Sequence, residues 1–255
     1  MSNAKQVLQQ LIDMSLNLAR PERRIVILGE GNTSAMCDDG TFWVKASGTQ
    51  LPTAGVETFV RCRTEGLLAA ANGDADDDTS YEAALANSKV DPEEPKRPST
   101  EAIFHAILLT ETDAKFVAHT HPEAANALLC SKRAEEAFSG RLFPDEIVVC
   151  GPAVAYVPFV DPGLELSRAV RDSVRRYIDA WNIPPRVIVM QNHGVIALGQ
   201  TPAQVDSIYQ MFLKTCRVLQ ATYALGGPNF LSEGNVDRVF TRPDEAYRRK
   251  VLKLS

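Results

Sequence analysis

The sequence has little histidine and no paired cysteine. Only four histidines occur in 255 residues: His105, His119, His121 and His193. The five cysteines, Cys37, Cys62, Cys130, Cys150 and Cys216, are scattered, odd in number and never spaced as C-x-x-C. That pattern excludes a disulfide framework and a cysteine-rich metal site. It fits reduced thiols in a cytoplasmic protein, with Cys130 and Cys150 packed inside apolar runs. No apolar run approaches the ~18 residues a membrane helix needs. The first residues lack a basic start followed by an apolar core, so no signal peptide is expected. Positive charge is not in excess: 27 Lys and Arg stand against 32 Asp and Glu, for a net charge of −5. No nucleic-acid or anionic-membrane partner is expected, although a local basic pocket for a phosphate is not excluded. Internal repeats and Gly/Ser linkers are absent as well.

What is present is an ordinary globular composition, 45% hydrophobic and 23% charged, enough for a sizeable core. Apolar spacing predicts a helix over about residues 4–19, stopped by Pro21. Ile25-Val-Ile-Leu28 reads as a short buried strand. Gly29-Glu-Gly31-Asn32-Thr33-Ser34 resembles a dinucleotide fingerprint, but a hairpin rather than a helix follows it, around the turn Asp38-Asp39-Gly40. A Rossmann fold is therefore rejected. Residues 54–71 are expected to be helical. Residues 72–97 form an exposed excursion, possible as a lid and without the spacing of a calcium loop. Ser99 is the expected N-cap of a helix carrying Glu101 in its first turn. Residues 146–150, 153–157, 187–190 and 195–198 read as strands. Helices are expected over 164–181, with a solvated basic face, and over 202–224, with Pro202 at the first position. Residues 226–255 make a weakly patterned tail. Strands and helices interleave throughout, which predicts one α/β domain over residues 1–255 with helices packed on a mixed sheet.

The chemistry concentrates in Phe116-Val-Ala-His119-Thr-His121-Pro122. On an extended backbone, residues two apart share a face, so both imidazoles can reach one metal ion. His193, at the end of the apolar run Val187-Ile-Val-Met190, is a third candidate ligand. Three imidazoles with an open position suit a catalytic divalent centre. The histidine pair alone also fits two ordinary polar residues where a strand leaves the core. Glu101 can be a catalytic carboxylate or one that only satisfies the helix dipole. His105, four residues on, shares its helix face. It is read as a supporting or packing residue, with a Glu101/His105 ligand pair as the alternative.

Gly31-Asn32-Thr33-Ser34, Lys45-Ala-Ser47-Gly48, Pro98-Ser99-Thr100-Glu101, His119-Thr-His121 and Asn192-His193-Gly194 occur in a fixed order. In that order and spacing the chain resembles the class II aldolase/adducin family over about residues 5–225. The resemblance implies a three-layer α/β/α fold with a central mixed, largely antiparallel sheet. It implies His119, His121 and His193 as ligands of a divalent metal, usually zinc, with manganese, cobalt or iron as alternatives. Glu101 falls at the catalytic acid/base position. Gly31, Asn32, Ser47, Gly48, Ser99 and Thr100 fall where the family binds a substrate phosphate. The implied activity is cleavage of a phosphorylated ketose through a metal-stabilised enediolate. The alternatives are 4-epimerase, decarboxylase or dehydratase chemistry at the same site, or a non-catalytic adducin-like interaction module. Epimerase relatives usually carry Asp at the position of Glu101. Members form homotetramers with the site at a subunit interface. Thr100 replaces a more usual serine and Ala46 a common proline. The 72–97 insertion lies outside the common core, and no tail residue aligns clearly with the tyrosine that several members lend to a neighbouring site.

Overall fold

The structure is a computed structural model that describes residues 3–251. In chain order it contains α1 (Asn3–Leu18), β1 (Asn32–Met36), β2 (Thr41–Lys45), β3 (Phe59–Arg63), α2 (Glu65–Ala69), α3 (Asp78–Asn87), α4 (Ala102–Glu111), β4 (Phe116–Thr120), α5 (Glu123–Leu129) and α6 (Ala134–Ala137). There follow α7 (Pro144–Cys150), β5 (Ala155–Val157), α8 (Leu164–Trp181), β6 (Val187–Met190), β7 (Gly194–Gly199), α9 (Pro202–Tyr223), α10 (Glu233–Thr241) and α11 (Pro243–Val251). The strands form one sheet in the order β3-β2-β1-β4-β7-β6-β5. Only β5 and β6 pair in parallel, so the sheet is mixed and largely antiparallel.

Helices cover both faces, and strand alternation divides the core between them. Phe116 and Ala118 of β4 pack with α1, α5 and α9, around Leu11, Leu129, Tyr209 and Phe212. Val117 points the other way, toward Ile103 and Phe104 of α4 and Val170 and Val174 of α8. By parity His119 and His121 lie on the α4 side. α4 is apolar all round and buried from Ala102 to Leu109, as a helix held between a sheet and other helices must be. Among the described residues no helix is long and apolar enough to cross a membrane.

Several expectations need correction. Ile25–Leu28 is not a strand. Ile25 and Val26 are buried, Ile27 and Leu28 are exposed, and Leu28 turns to a left-handed φ of 51°. The segment keeps one sheet-like contact, with His121 N–H donating to the Ile25 carbonyl. Residues 54–71 are not one helix. A single short turn over Val56–Thr58 follows Gly55, the run Phe59-Val-Arg-Cys-Arg63 pairs with β2 as the edge strand, and helix begins only at Glu65. Residues 146–150 form α7 rather than a strand. Pro144 in the first turn and the acidic Asp145 and Glu146 are helix-start signals that outweigh the β-branched run. α4 begins at Ala102, with Glu101 rather than Ser99 at the cap position. The tail carries α10, capped by Ser232, and α11. Cys130 is exposed rather than packed.

The basic face of α8 is also not simply solvated. Arg168 donates to the carbonyls of Ala70, Ala71 and Ala75, and Arg171 donates to Asn72. These contacts hold the start of the largely exposed insertion against the domain. α3 adds Tyr81 and Leu85 to the core from within it.

Candidate metal centre

The site lies where β4 leaves the sheet beside the β6–β7 turn. Asn192 adopts a left-handed φ of 55° there, a conformation asparagine tolerates. The turn closes with His193 N–H on the Met190 carbonyl, which aims the His193 ring back at β4. The ligand-bearing nitrogens of His119, His121 and His193 all lie within 4.8 Å of one another. Sequence reasoning placed these three together, and the fold brings them together.

Two glycines make room for this approach. A Cβ on Gly194 would sit 2.6 Å from His121 Cδ2 and 2.6 Å from the Thr120 carbonyl oxygen. A Cβ on Gly31, at φ 66°, would sit 2.7 Å from the His119 carbonyl oxygen.

Hydrogen bonds to the far side of two of the three rings, His119 and His121, orient them. His119 Nδ1 lies 3.1 Å from the Val195 carbonyl, which can only accept, so Nδ1 carries the proton and Nε2 the lone pair. His121 Nδ1 donates to Glu30 Oε2 at 3.2 Å, again leaving Nε2 bare. The two Nε2 atoms are 3.0 Å apart. Two lone pairs at that distance repel, and a cation shared between them removes the conflict. Ligands of one tetrahedral ion with bonds of 2.0–2.1 Å lie about 3.3 Å apart. Glu101 completes the ring of donors, with Oε2 at 3.4 Å from His119 Nε2 and Oε1 at 3.3 Å from His193 Nε2. The donor set of three imidazoles and a carboxylate suits a divalent metal.

Glu101 is itself held from behind. Asn32 Nδ2 donates to Glu101 Oε2 at 2.6 Å and to Ser99 Oγ at 3.1 Å. Asn32 Oδ1 accepts from His105 Nε2. His105 Nδ1 must then accept from Ser34 Oγ, at 2.6 Å. His105 therefore supports the site through Asn32 and does not join the three converging imidazoles.

Burial lowers the pKa of both His105 and His119 to about 3, against the opposing pull of the Glu101 charge. Burial also lowers His121, and the charge of His193 adds to the effect. Burial raises Glu101, but His119, His193 and the Asn32 amide outweigh it and hold the carboxyl well below the usual range. At neutral pH His119 and His121 are thus neutral and Glu101 is an ionised carboxylate.

The proposed phosphate residues are spread around this core. Ser47 and Thr100 meet at a cavity of about 570 Å³, together with Arg97, Pro98 and α3. The N–H groups of Ser47 and Ser99 are used by the carbonyls of Arg97 and Lys45. Asn32 and Ser99 belong to the network beneath Glu101, and Gly31 packs against β4. Gly48, at φ 80°, sits in an exposed turn. Sequence reasoning passed over Glu30 and Lys45. Lys45 Nζ is buried and donates to the Gly29 carbonyl at 3.0 Å, and burial lowers its pKa against the pull of Glu101. Glu30 carries no local signal, because only the fold brings it to His121. Lys45 directly precedes the Ala-Ser-Gly segment and was open to being read with it.

The model of the family described as Class II Aldolase and Adducin N-terminal domain matches residues 9–219. The chain belongs to that family. Among solved structures, the N-terminal class II aldolase domain of a conserved protein from Thermoplasma acidophilum aligns with a TM-score of 0.64 at 25% identity, covering 83% of this chain and 92% of that one. YgbL from Klebsiella pneumoniae, described as a putative aldolase/epimerase/decarboxylase, gives 0.71 at 17% identity, with 94% and 99% covered. L-fuculose-1-phosphate aldolase from Thermus thermophilus gives 0.60 at 16% identity, with 89% and 100% covered. The last two likenesses establish the class II aldolase fold and nothing finer. No curated protein matches the chain.

Two outcomes test this site of the class II aldolase fold. Gly194→Ala must push the His121 ring away, so divalent affinity should fall more than tenfold while the far-ultraviolet circular dichroism is kept; competition with a chelating dye measures it. An unchanged affinity would refute the packing argument. His105 has a folded pKa below its unfolded value near 6.5, so the unfolded chain binds more protons between about pH 6.5 and 3. Stability should therefore be lost as pH falls through that window, by up to about 1.4 kcal/mol per pH unit for each such histidine. In urea unfolding across this range, His105→Gln should show a shallower slope than the wild type.

Proposed function

We propose that the protein is a divalent-metal-dependent aldolase that cleaves a phosphorylated ketose. The observation that carries this reading is the convergence of His119, His121 and His193 on one point, with Glu101 facing His119 and His193 across 3.3–3.4 Å. His119, His121 and His193 would hold the ion, with zinc the expected metal and manganese, cobalt or iron the alternatives. A bound divalent cation would supply the Lewis acidity that stabilises negative charge developing on a ketone and its neighbouring hydroxyl.

The protein's own residues supply the rest. Neutral imidazoles leave the positive charge of an ion undiminished. Glu101, ionised and fixed by Asn32, is placed to move a proton to or from the carbon beside the carbonyl. His105 and Ser34 fix Asn32, so the carboxylate cannot swing away. Ser47, Thr100 and the exposed turn at Gly48 are suited to the phosphate, and the buried charge of Lys45 favours an anion nearby. Binding energy from that non-reacting end would position the reacting carbons. This reading also carries a cytoplasmic protein, which the free cysteines support, and a homotetramer whose neighbouring copy completes the aldehyde end. 4-Epimerase, decarboxylase and dehydratase reactions would use the same centre.

A panel of ketose phosphates assayed for aldehyde, carbon dioxide and epimer tests the reaction class. Release of aldehyde with dihydroxyacetone phosphate is expected, lost on chelation and restored by a divalent ion. Glu101→Gln should lower kcat by roughly 10²–10⁴ with little change in KM. Carbon dioxide or an epimer as the sole product would replace the aldolase reading. No product with any member, in protein loaded with metal, would favour the adducin-like role.

A further inference from the structure

At the other end of the sheet two arginines, Arg186 and Arg249, gather on one cavity. β7 runs from Gly194, beside the histidines, to Gly199, a strand length of roughly 17 Å. At the Gly199 end is a cavity of about 310 Å³. Arg186 and Arg249 both line it, with Pro184, Pro185 and Phe240 forming apolar wall. Arg249 is 9% exposed. Its Nη2 donates to the Phe240 carbonyl at 2.8 Å, and its guanidinium lies over the Phe240 ring. Its Nη1 is buried and has no hydrogen-bond partner among the described residues.

Arg186 donates from Nη1 to the carbonyls of Val148 and Val149, both at 3.0 Å. Those bonds hold the head of the side chain at the end of α7. The two guanidinium charges are close enough to repel, and this adds to burial in lowering the pKa of Arg186. Neither arginine makes an ion pair among the described residues. Glu245, four residues before Arg249, pairs with Arg248, and its charge also favours the charged form of Arg249. Asp113, a carboxylate on the cavity wall, accepts from Gln200 at 3.1 Å.

We propose that this cavity is a site for a small oxyanion, the phosphate or carboxylate group of a metabolite, gripped between Arg249 and Arg186. Two like charges line one cavity, and the pull of Asp113 on Arg186 and of Glu245 on Arg249, neither within ion-pair distance, offsets only part of the cost of burying them; an anion between them would relieve the rest. A forked guanidinium offers two parallel N–H groups to such an oxyanion. Pro184, Pro185 and Phe240 would take the apolar body of the ligand. This site stands apart from the histidine centre and does not depend on the aldolase reading.

Isothermal titration of the full chain with inorganic phosphate, and separately with acetate, tests it. The wild type should bind at least one of the two, and the tighter one assigns phosphate or carboxylate. Arg186→Met and Arg249→Met should each weaken that binding roughly ten- to hundredfold, with divalent-ion binding unchanged. Any phosphate bound near Ser47 is removed by Ser47→Ala, in which the arginine-dependent event should persist. If Arg249→Met fails to fold, Arg249→Lys keeps the charge, loses the fork and should still weaken binding. Titrations unchanged in the arginine variants, or no binding of either anion by the wild type, would overturn the proposal.

Discussion

The hydrogen bond from His119 Nδ1 to the Val195 carbonyl sets the rest of the site. It joins the side chain of one central strand to the backbone of the next, so the ring cannot turn without disturbing the sheet. It also fixes the tautomer, leaving the Nε2 lone pair facing the other two imidazoles. His119 is fully buried on the α4 face, flanked by β1 and β7. Gly31 and Gly194 let those neighbours approach. A binding point built this way is as rigid as the sheet itself, which is what precise ligation requires.

A carboxylate buried beside neutral imidazoles would ordinarily be unfavourable. Here each polar atom behind it is matched. Asn32 spends its two amide hydrogens on Ser99 and Glu101 and its oxygen on His105, and His105 in turn takes a hydrogen from Ser34. The chain of bonds runs from β1 across to the start of α4 and ties Glu101 to its support. The orphan in this arrangement is His193 Nδ1, which is buried without a partner among the described residues. Its ring is consequently the least constrained of the three.

Much of this was legible in sequence because the signals are local. The i, i+2 spacing of His119 and His121 on a strand fixes a common face. Apolar spacing before Pro21 marks α1 and Pro202 marks the start of α9; both helices, and α8, fall almost where the sequence puts them. The order of short motifs carried the family likeness that the family match then established. What failed was equally physical. The run from Glu146 to Cys150 is too short for periodicity to separate strand from helix, and the deciding signals were Pro144 and Asp145 just before it. Ile25 and Val26 look like strand, but the glycines after Leu28 turn the chain away before a ladder forms. Glu30 was invisible because its role comes from a contact 91 residues away in sequence. Arg168 is hidden from the sequence for the same reason, since its partners, the carbonyls of Ala70, Ala71 and Ala75, lie more than 90 residues away.

The central claim is that three imidazoles from two strand ends share one cation. X-ray absorption on protein reconstituted with zinc, with the ion counted per chain, tests it most directly. The account predicts one ion per chain, with three nitrogen ligands at about 2.0–2.1 Å and the remainder oxygen. No bound ion, or a shell of oxygen ligands alone, would contradict it.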